Sequence, residues 1–95
     1  MSLDEALEIL KNWQRAAVTL HSRFSDPSTG MSHDLYVSVG SVDCFVLQLV
    51  DADTGVSTPR PLDGAAFAYW VSEDKSSLRI TFSNGSFIIL TQDLS

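Results

Sequence analysis

The sequence predicts an α+β domain: an N-terminal helix followed by an antiparallel, strongly bent sheet or small barrel of about five to six strands. Three observations predict it. Leu3, Leu7, Leu10 and Trp13 recur at spacings of four and three, which is one face of a helix. From Ala16 onward the chain breaks into short segments of alternating apolar residues, bounded by Gly, Pro, Asn, Asp and Ser. Between Leu78 and Ser95, Asn84-Gly85 separates two such segments, a strong short-range signal for a hairpin.

The helix has a start signal in Ser2 followed by Glu5, with Asp4 in the first turn and Lys11 and Arg15 toward the other end, as its dipole prefers. Ala6 and Ile9 widen the stripe. The helix is expected to run to about Gln14 and a strand to cover Ala16 to Phe24, where Ala16, Val18, Leu20 and Phe24 alternate with Ala17, Thr19, His21 and Arg23. A continued helix also fits this stretch, because Trp13, Ala17, Leu20 and Phe24 keep helical spacing up to Pro27.

Ser25 to Gly30 reads as a turn, since Asp-Pro opens turns and Gly adopts positive φ. Leu35, Val37 and Val39 form the next strand, and Gly40 is either a hairpin turn or the bend of one long strand. Cys44 to Val50 is apolar on both faces, which predicts a central strand or one under the helix. Asp51 to Gly64, with Pro59 and Pro61 flanking Arg60, reads as a loop, though its ends can extend neighbouring strands. Ala65 to Ser72 is a strand with Phe67, Tyr69 and Val71 on one face and Ala66, Ala68 and Trp70 on the other; Glu73 to Ser77 then turns the chain. In the last hairpin a two-residue Asn84-Gly85 loop sets Phe82 against Phe87 and Ile80 against Ile89. One core face would then carry Leu78, Ile80, Phe82, Phe87 and Ile89. A second apolar set, Val46, Ala66, Ala68, Trp70, Ile88 and Leu90, faces the other way and is expected to lie under the helix or another subunit.

Ninety-five residues suit a single domain, 1-95, with one core. Six basic against twelve acidic residues give a net charge of −6, which disfavours general binding to nucleic acid or anionic lipid. The cations Lys11, Arg15, Arg23, Arg60, Lys75 and Arg79 are scattered, and the acidic excess reads as a solubility feature. The single cysteine, Cys44, lies in an apolar run and is expected to be a buried thiol. Neither a secretory signal pattern nor an apolar run of membrane-spanning length is visible, so the cytoplasm is the default location.

The helix ending near Trp13, the VTLHSRF and FAYW strands and the terminal LRITFSNGSFIIL hairpin together resemble a family of uncharacterised small bacterial proteins of the acidobacterial type. The order, helix first and then a meander of short strands, is also similar to the Sm-like and SH3-like small barrels. The Sm resemblance implies an RNA-binding barrel. This sequence departs from it in lacking the Asp and Asn pair of the RNA-binding loop and the basic residue before the glycine, since Ser83 precedes Asn84-Gly85.

Few constellations bear on chemistry. Asp53-Thr54-Gly55 after a hydrophobic strand matches the aspartic-protease signature, and in a retropepsin-like homodimer Asp53 would supply one carboxylate of the dyad. Asp51 precedes it where an apolar residue belongs, Val56 follows it in place of Ser or Ala, and an Asp-Thr-Gly turn explains it without catalysis. Asp51 and Asp53 also fail as a calcium loop, with Gly55 and Leu62 at ligand positions. His21, His33 and Cys44 lack metal-ligand spacing, and no GxSxG elbow supports a serine nucleophile. The expectation is therefore a non-enzymatic, soluble domain without cofactor, acting through a protein partner or self-assembly. The alternatives are an RNA-binding small barrel using Arg15, Arg23, Arg60 and Arg79, and a dimeric aspartic protease using Asp53.

Overall fold

The helix α1 spans Leu3–Ala16 and is followed by seven strands: β1 Leu20–Asp26, β2 Met31–Val42, β3 Val46–Asp51, β4 Ser57–Pro61, β5 Ala66–Val71, β6 Ser77–Phe82 and β7 Phe87–Gln92. The structure, a computed structural model, describes residues 3–62 and 66–93; Ser2 and its capping role lie outside them, as do the side chains of Leu3 and residues 66–68. All pairings are antiparallel, and the strands form one open sheet in the order β4-β3-β2-β1-β7-β6-β5. The chain thus lays down β1 to β4 as a meander in one direction. It then crosses to the far edge and returns through β5, β6 and β7 to close against β1.

The helix ends two residues later than expected, by a device that composition hides. Val18 N–H donates to the carbonyl of Trp13 at 3.1 Å and Ala17 N–H to that of Gln14 at 3.2 Å, the paired bonds of a Schellman motif. Ala17 adopts φ 53° where glycine usually serves, at a cost of roughly 1 kcal/mol. Because Ala is a strong helix former, nothing in the sequence marks this stop. β1 accordingly starts at Leu20, and the strand reading of the ambiguous stretch holds from there.

One face of the sheet shares a core with the helix. Ala6, Leu7, Leu10 and Trp13 pack with Leu20, Val37, Val39, Leu47, Leu49, Leu78, Ile80, Phe82, Ile88 and Leu90. The sheet curves over this face. Arg60 on β4 and Phe24 on β1 are three strands apart, about 14 Å in a flat sheet, yet the Arg60 guanidinium carbon lies 4.4 Å from the centre of the Phe24 ring. The sheet is nevertheless open and not a closed barrel, with β4 and β5 as its edges.

Four expectations are corrected. The strands number seven, because Ser57–Pro61, read as loop, pairs with β3: Pro59 opposes Gln48 and Pro61 opposes Val46. Proline lacks the N–H of an inner strand but is tolerated on an edge, which is where β4 lies. Cys44 is exposed rather than buried, since β3 begins at Val46 and Cys44 sits in the turn before it, beside Phe45 at 65% exposure. The helix covers the inner face of the sheet and not the outer one.

The fourth correction concerns the terminal hairpin. Thr81 opposes Phe87, Ile80 opposes Ile88 and Leu78 opposes Leu90, one residue out of the expected register. Phe82 N–H donates to the Ser86 carbonyl at 2.8 Å, and Gly85 N–H to the Phe82 carbonyl at 3.0 Å, so the loop is Ser83-Asn84-Gly85. Gly85 has φ 89° while Asn84 is not at positive φ, the pattern of a type I turn closed by a glycine bulge. The slip exchanges the faces of β7: Ile88 and Leu90 enter the core, and Phe87 and Ile89 turn outward. Gly40 is settled as well. It is the bulge between Val39 and Ser41 within one long strand, and its carbonyl accepts a 3.0 Å hydrogen bond from the side chain of Gln14 on the helix. A β-carbon there would stand 2.7 Å from Cγ2 of Val50.

Five hairpin turns share one chemistry, a side-chain oxygen accepting a hydrogen bond from the backbone two residues on. Asp26 accepts from Ser28, Asp43 from Phe45 and Val46, Asp51 from Asp53 and Thr54, Asp74 from Ser76, and Asn84 from Ser86. Four of the twelve acidic residues therefore close turns, which gives part of the acidic excess a structural use. Hydroxyls of Ser76 and Ser72, then Ser76 N–H, lower the Asp74 pKa from its ordinary 3.8 to about 2. A depressed carboxylate stabilises the fold above the unfolded pKa, and that contribution is lost as pH falls through the folded value. The β5–β6 turn is thus expected to hold at pH 5 and loosen between about pH 4 and 2. Proton exchange at the Ser76 amide, followed against pH, checks this; an Asp74 titration midpoint near 4 would contradict it.

Candidate functional site

The outer face of the sheet carries the surface that most resembles a binding site. Alternation along each strand and the observed register generate it. Asp34 on β2 faces Arg23 on β1, Arg23 faces Ile89 on β7, Ile89 faces Arg79 on β6, and Arg79 faces Trp70 on β5. Five side chains from five strands thus form a row across the sheet. A second row runs from Tyr36 through His21 and Thr91 to Ser77, with the Ser77 and Thr91 hydroxyls 3.0 Å apart.

At one end of the first row the electrostatics are internally balanced. Arg23 Nε donates to Asp34 Oδ1 at 3.0 Å, and this hydrogen bond raises the Arg23 pKa and lowers that of Asp34. His21 Nε2 lies 4.0 Å from the same oxygen, and its ring is tilted against Tyr36 with centroids 5.5 Å apart. At the other end the surface is apolar and open. Trp70 is 57% exposed, and with Tyr69, Arg79, Thr81 and Ile89 it lines a shallow depression of about 410 Å³. The Arg79 guanidinium carbon lies 4.3 Å from the centre of the Phe87 ring, so its charge sits over an aromatic face.

The residues singled out in the sequence are dispersed around this face. Asp53 stands exposed at the tip of the β3–β4 hairpin, where Asp51 Oδ1 accepts the Asp53 and Thr54 N–H groups at 2.7 and 3.1 Å and Gly55 adopts φ 75°. The Asp-Thr-Gly stretch therefore serves as the turn. The four arginines do not share a face: Arg23 and Arg79 belong to the outer row, Arg15 to the end of the helix, and Arg60 to the inner face opposite buried Leu47. His33 pairs with Phe24 in the β1–β2 hairpin, away from Cys44 in the next turn. Among the described residues, no group of three or more His, Cys, Asp or Glu side chains is gathered so as to hold a metal ion. Among them, too, no helix is long and apolar enough to cross a membrane.

Of the second apolar set, Trp70 keeps its outward place and Val46 is half-buried, while Ile88 and Leu90 are core. The outward role falls instead to Ile89 and Phe87, which a two-residue Asn84-Gly85 loop would place inside. The absence of positive φ at Asn84 is what moves them, and Asn-Gly by itself does not disclose it. Comparison with known proteins finds no matching family model, no matching curated protein and no matching solved structure.

Proposed function

We propose that this chain is a non-enzymatic interaction domain that assembles with a second copy of itself through β5 and the outer face beside it. The observation that carries the reading is Trp70, more than half exposed on an edge strand that has neither proline nor charge. Open edges invite pairing with another chain, and proteins blunt them with proline, lysine or short length. The two edges differ in this respect. β4 carries Pro59 and Pro61, whereas β5 reads Ala-Phe-Ala-Tyr-Trp-Val. Antiparallel pairing of β5 with its symmetry mate is self-complementary, extends the sheet across the dimer, and joins the two Trp70, Arg79 and Ile89 surfaces. The neutralisation of Arg23 by Asp34 on the same face favours a protein surface over a phosphate backbone.

Sedimentation equilibrium tests the proposal, with Trp70→Lys placing a guard charge on the edge as natural edge strands do. The native chain is expected to sediment as a dimer at tens of micromolar. The variant should weaken association by about 100-fold, in the range for loss of an aromatic anchor, with an unchanged circular dichroism spectrum. A native chain that stays monomeric at several hundred micromolar, or a Trp70→Lys dimer of undiminished affinity, would overturn it.

A further inference from the structure

Of the four arginines, Arg60 alone is not exposed. Its place in β4 opposite Leu47 sends the side chain to the inner face, where the guanidinium stacks on Phe24. Nε is sealed from solvent and finds no hydrogen-bond partner among the described residues. Leaving a buried donor unmade is costly, and stacking a partly desolvated cation on an aromatic ring offsets part of that cost. Burial also lowers the Arg60 pKa, though a guanidinium keeps its proton in proteins. The result is a half-buried positive charge with unused hydrogen-bonding capacity.

A cleft of about 210 Å³ opens beside it, between edge strand β4 and the β6–β7 turn, lined by Phe24, Arg60, Pro61, Phe82, Ser83, Asn84 and Ser86. Among the described residues of that lining, Arg60 is the only charged one. Asp51 belongs to a separate cleft that Arg60 also lines, together with Ser22, Leu49 and Thr58, and its Oδ1 is already engaged by two backbone N–H groups. Asn84 Oδ1 and the Ser86 hydroxyl satisfy each other at 2.5 Å, so they do not compete for Arg60. We propose that this cleft is a binding site for a small organic carboxylate, with the carboxylate on the Arg60 guanidinium and the apolar body between Phe24 and Phe82. The planar fork of arginine matches a carboxylate, and aromatic walls favour a ligand with an apolar body over a bare anion. The volume is below that of drug-sized pockets, so the occupant is an anion about the size of benzoate. The site lies on the seam between β4 and the β6–β7 turn, and its described lining does not include Trp70.

Titration of the ¹⁵N-labelled chain with benzoate, benzyl alcohol and inorganic phosphate, read by NMR, tests the assignment. Benzoate should produce saturable shifts at the amides of residues 83–86 and move the Arg60 Nη–H resonances downfield as these terminal guanidinium groups gain an acceptor. Benzyl alcohol and phosphate should each bind at least tenfold more weakly. Arg60→Gln should weaken benzoate by about tenfold to 100-fold, the range for a charge-assisted hydrogen bond, and Arg60→Lys should fall between. Unsaturable shifts, equal binding of benzyl alcohol or of phosphate, or an Arg60→Gln affinity equal to the native one would each overturn the proposal. If Arg60→Gln does not fold, the comparison of the three ligands on the native chain decides alone.

Discussion

Leu90→Ala is expected to remove about 2–5 kcal/mol of folding stability, whereas Ile89→Ala, one residue away, should cost about 1 kcal/mol. Leu90 is 0% exposed and packs in the core across from Leu78, while Ile89 lies on the outer face between Arg23 and Arg79. The contrast depends wholly on the register set by the Ser83-Asn84-Gly85 loop. A two-residue loop would bury Ile89 and reverse the order of the two effects. Urea denaturation of the two variants measures it, and equal or inverted losses would refute the three-residue turn.

Trp13→Ala is expected to cost about 3–5 kcal/mol, a large share of the 5–15 kcal/mol that holds a domain together. Trp13 is 4% exposed, and its side chain belongs to the helical stripe packed on the inner face of the sheet. Its carbonyl also anchors the helix stop through Val18. At an m-value of about 2 kcal/mol per molar, the urea midpoint should fall by about 2 M. A loss below about 1 kcal/mol would mean that the helix is not part of the cooperative core. Trp70, on the outer face, remains in this variant to report unfolding by fluorescence.

These two positions mark the range of what the chain discloses by itself. Trp13 was legible, because a stripe at spacings of three and four has one geometrical meaning and a helix this short must bury it. The inward places of Leu78, Ile80 and Phe82 were legible through alternation. Leu90 was not, since one extra loop residue reverses every side chain of β7 without altering its pattern. The candidate site is legible only in part: alternation points Trp70 outward, but a two-residue Asn84-Gly85 loop would send Ile89 and Phe87 to the core. Arg60 was visible in the sequence only as one of several scattered cations. Its position inside the fold depends on β4 being an edge strand and on the sheet curving enough to bring it over Phe24.

What the sequence determined is local: the helix, its apolar face, the strand periods, and the turns closed by Asp26, Asp51 and Asn84. These follow from sterics and hydrogen bonds among residues a few positions apart, so the information lies within each segment. What only the tertiary structure decided is relational: the hairpin register, the seventh strand with its prolines on an edge, the inner face chosen by the helix, and the meeting of Arg60 with Phe24. Each depends on which of two similar arrangements lets separate segments bury the larger apolar surface, and that comparison involves pairs such as Arg60 and Phe24 that no local pattern connects.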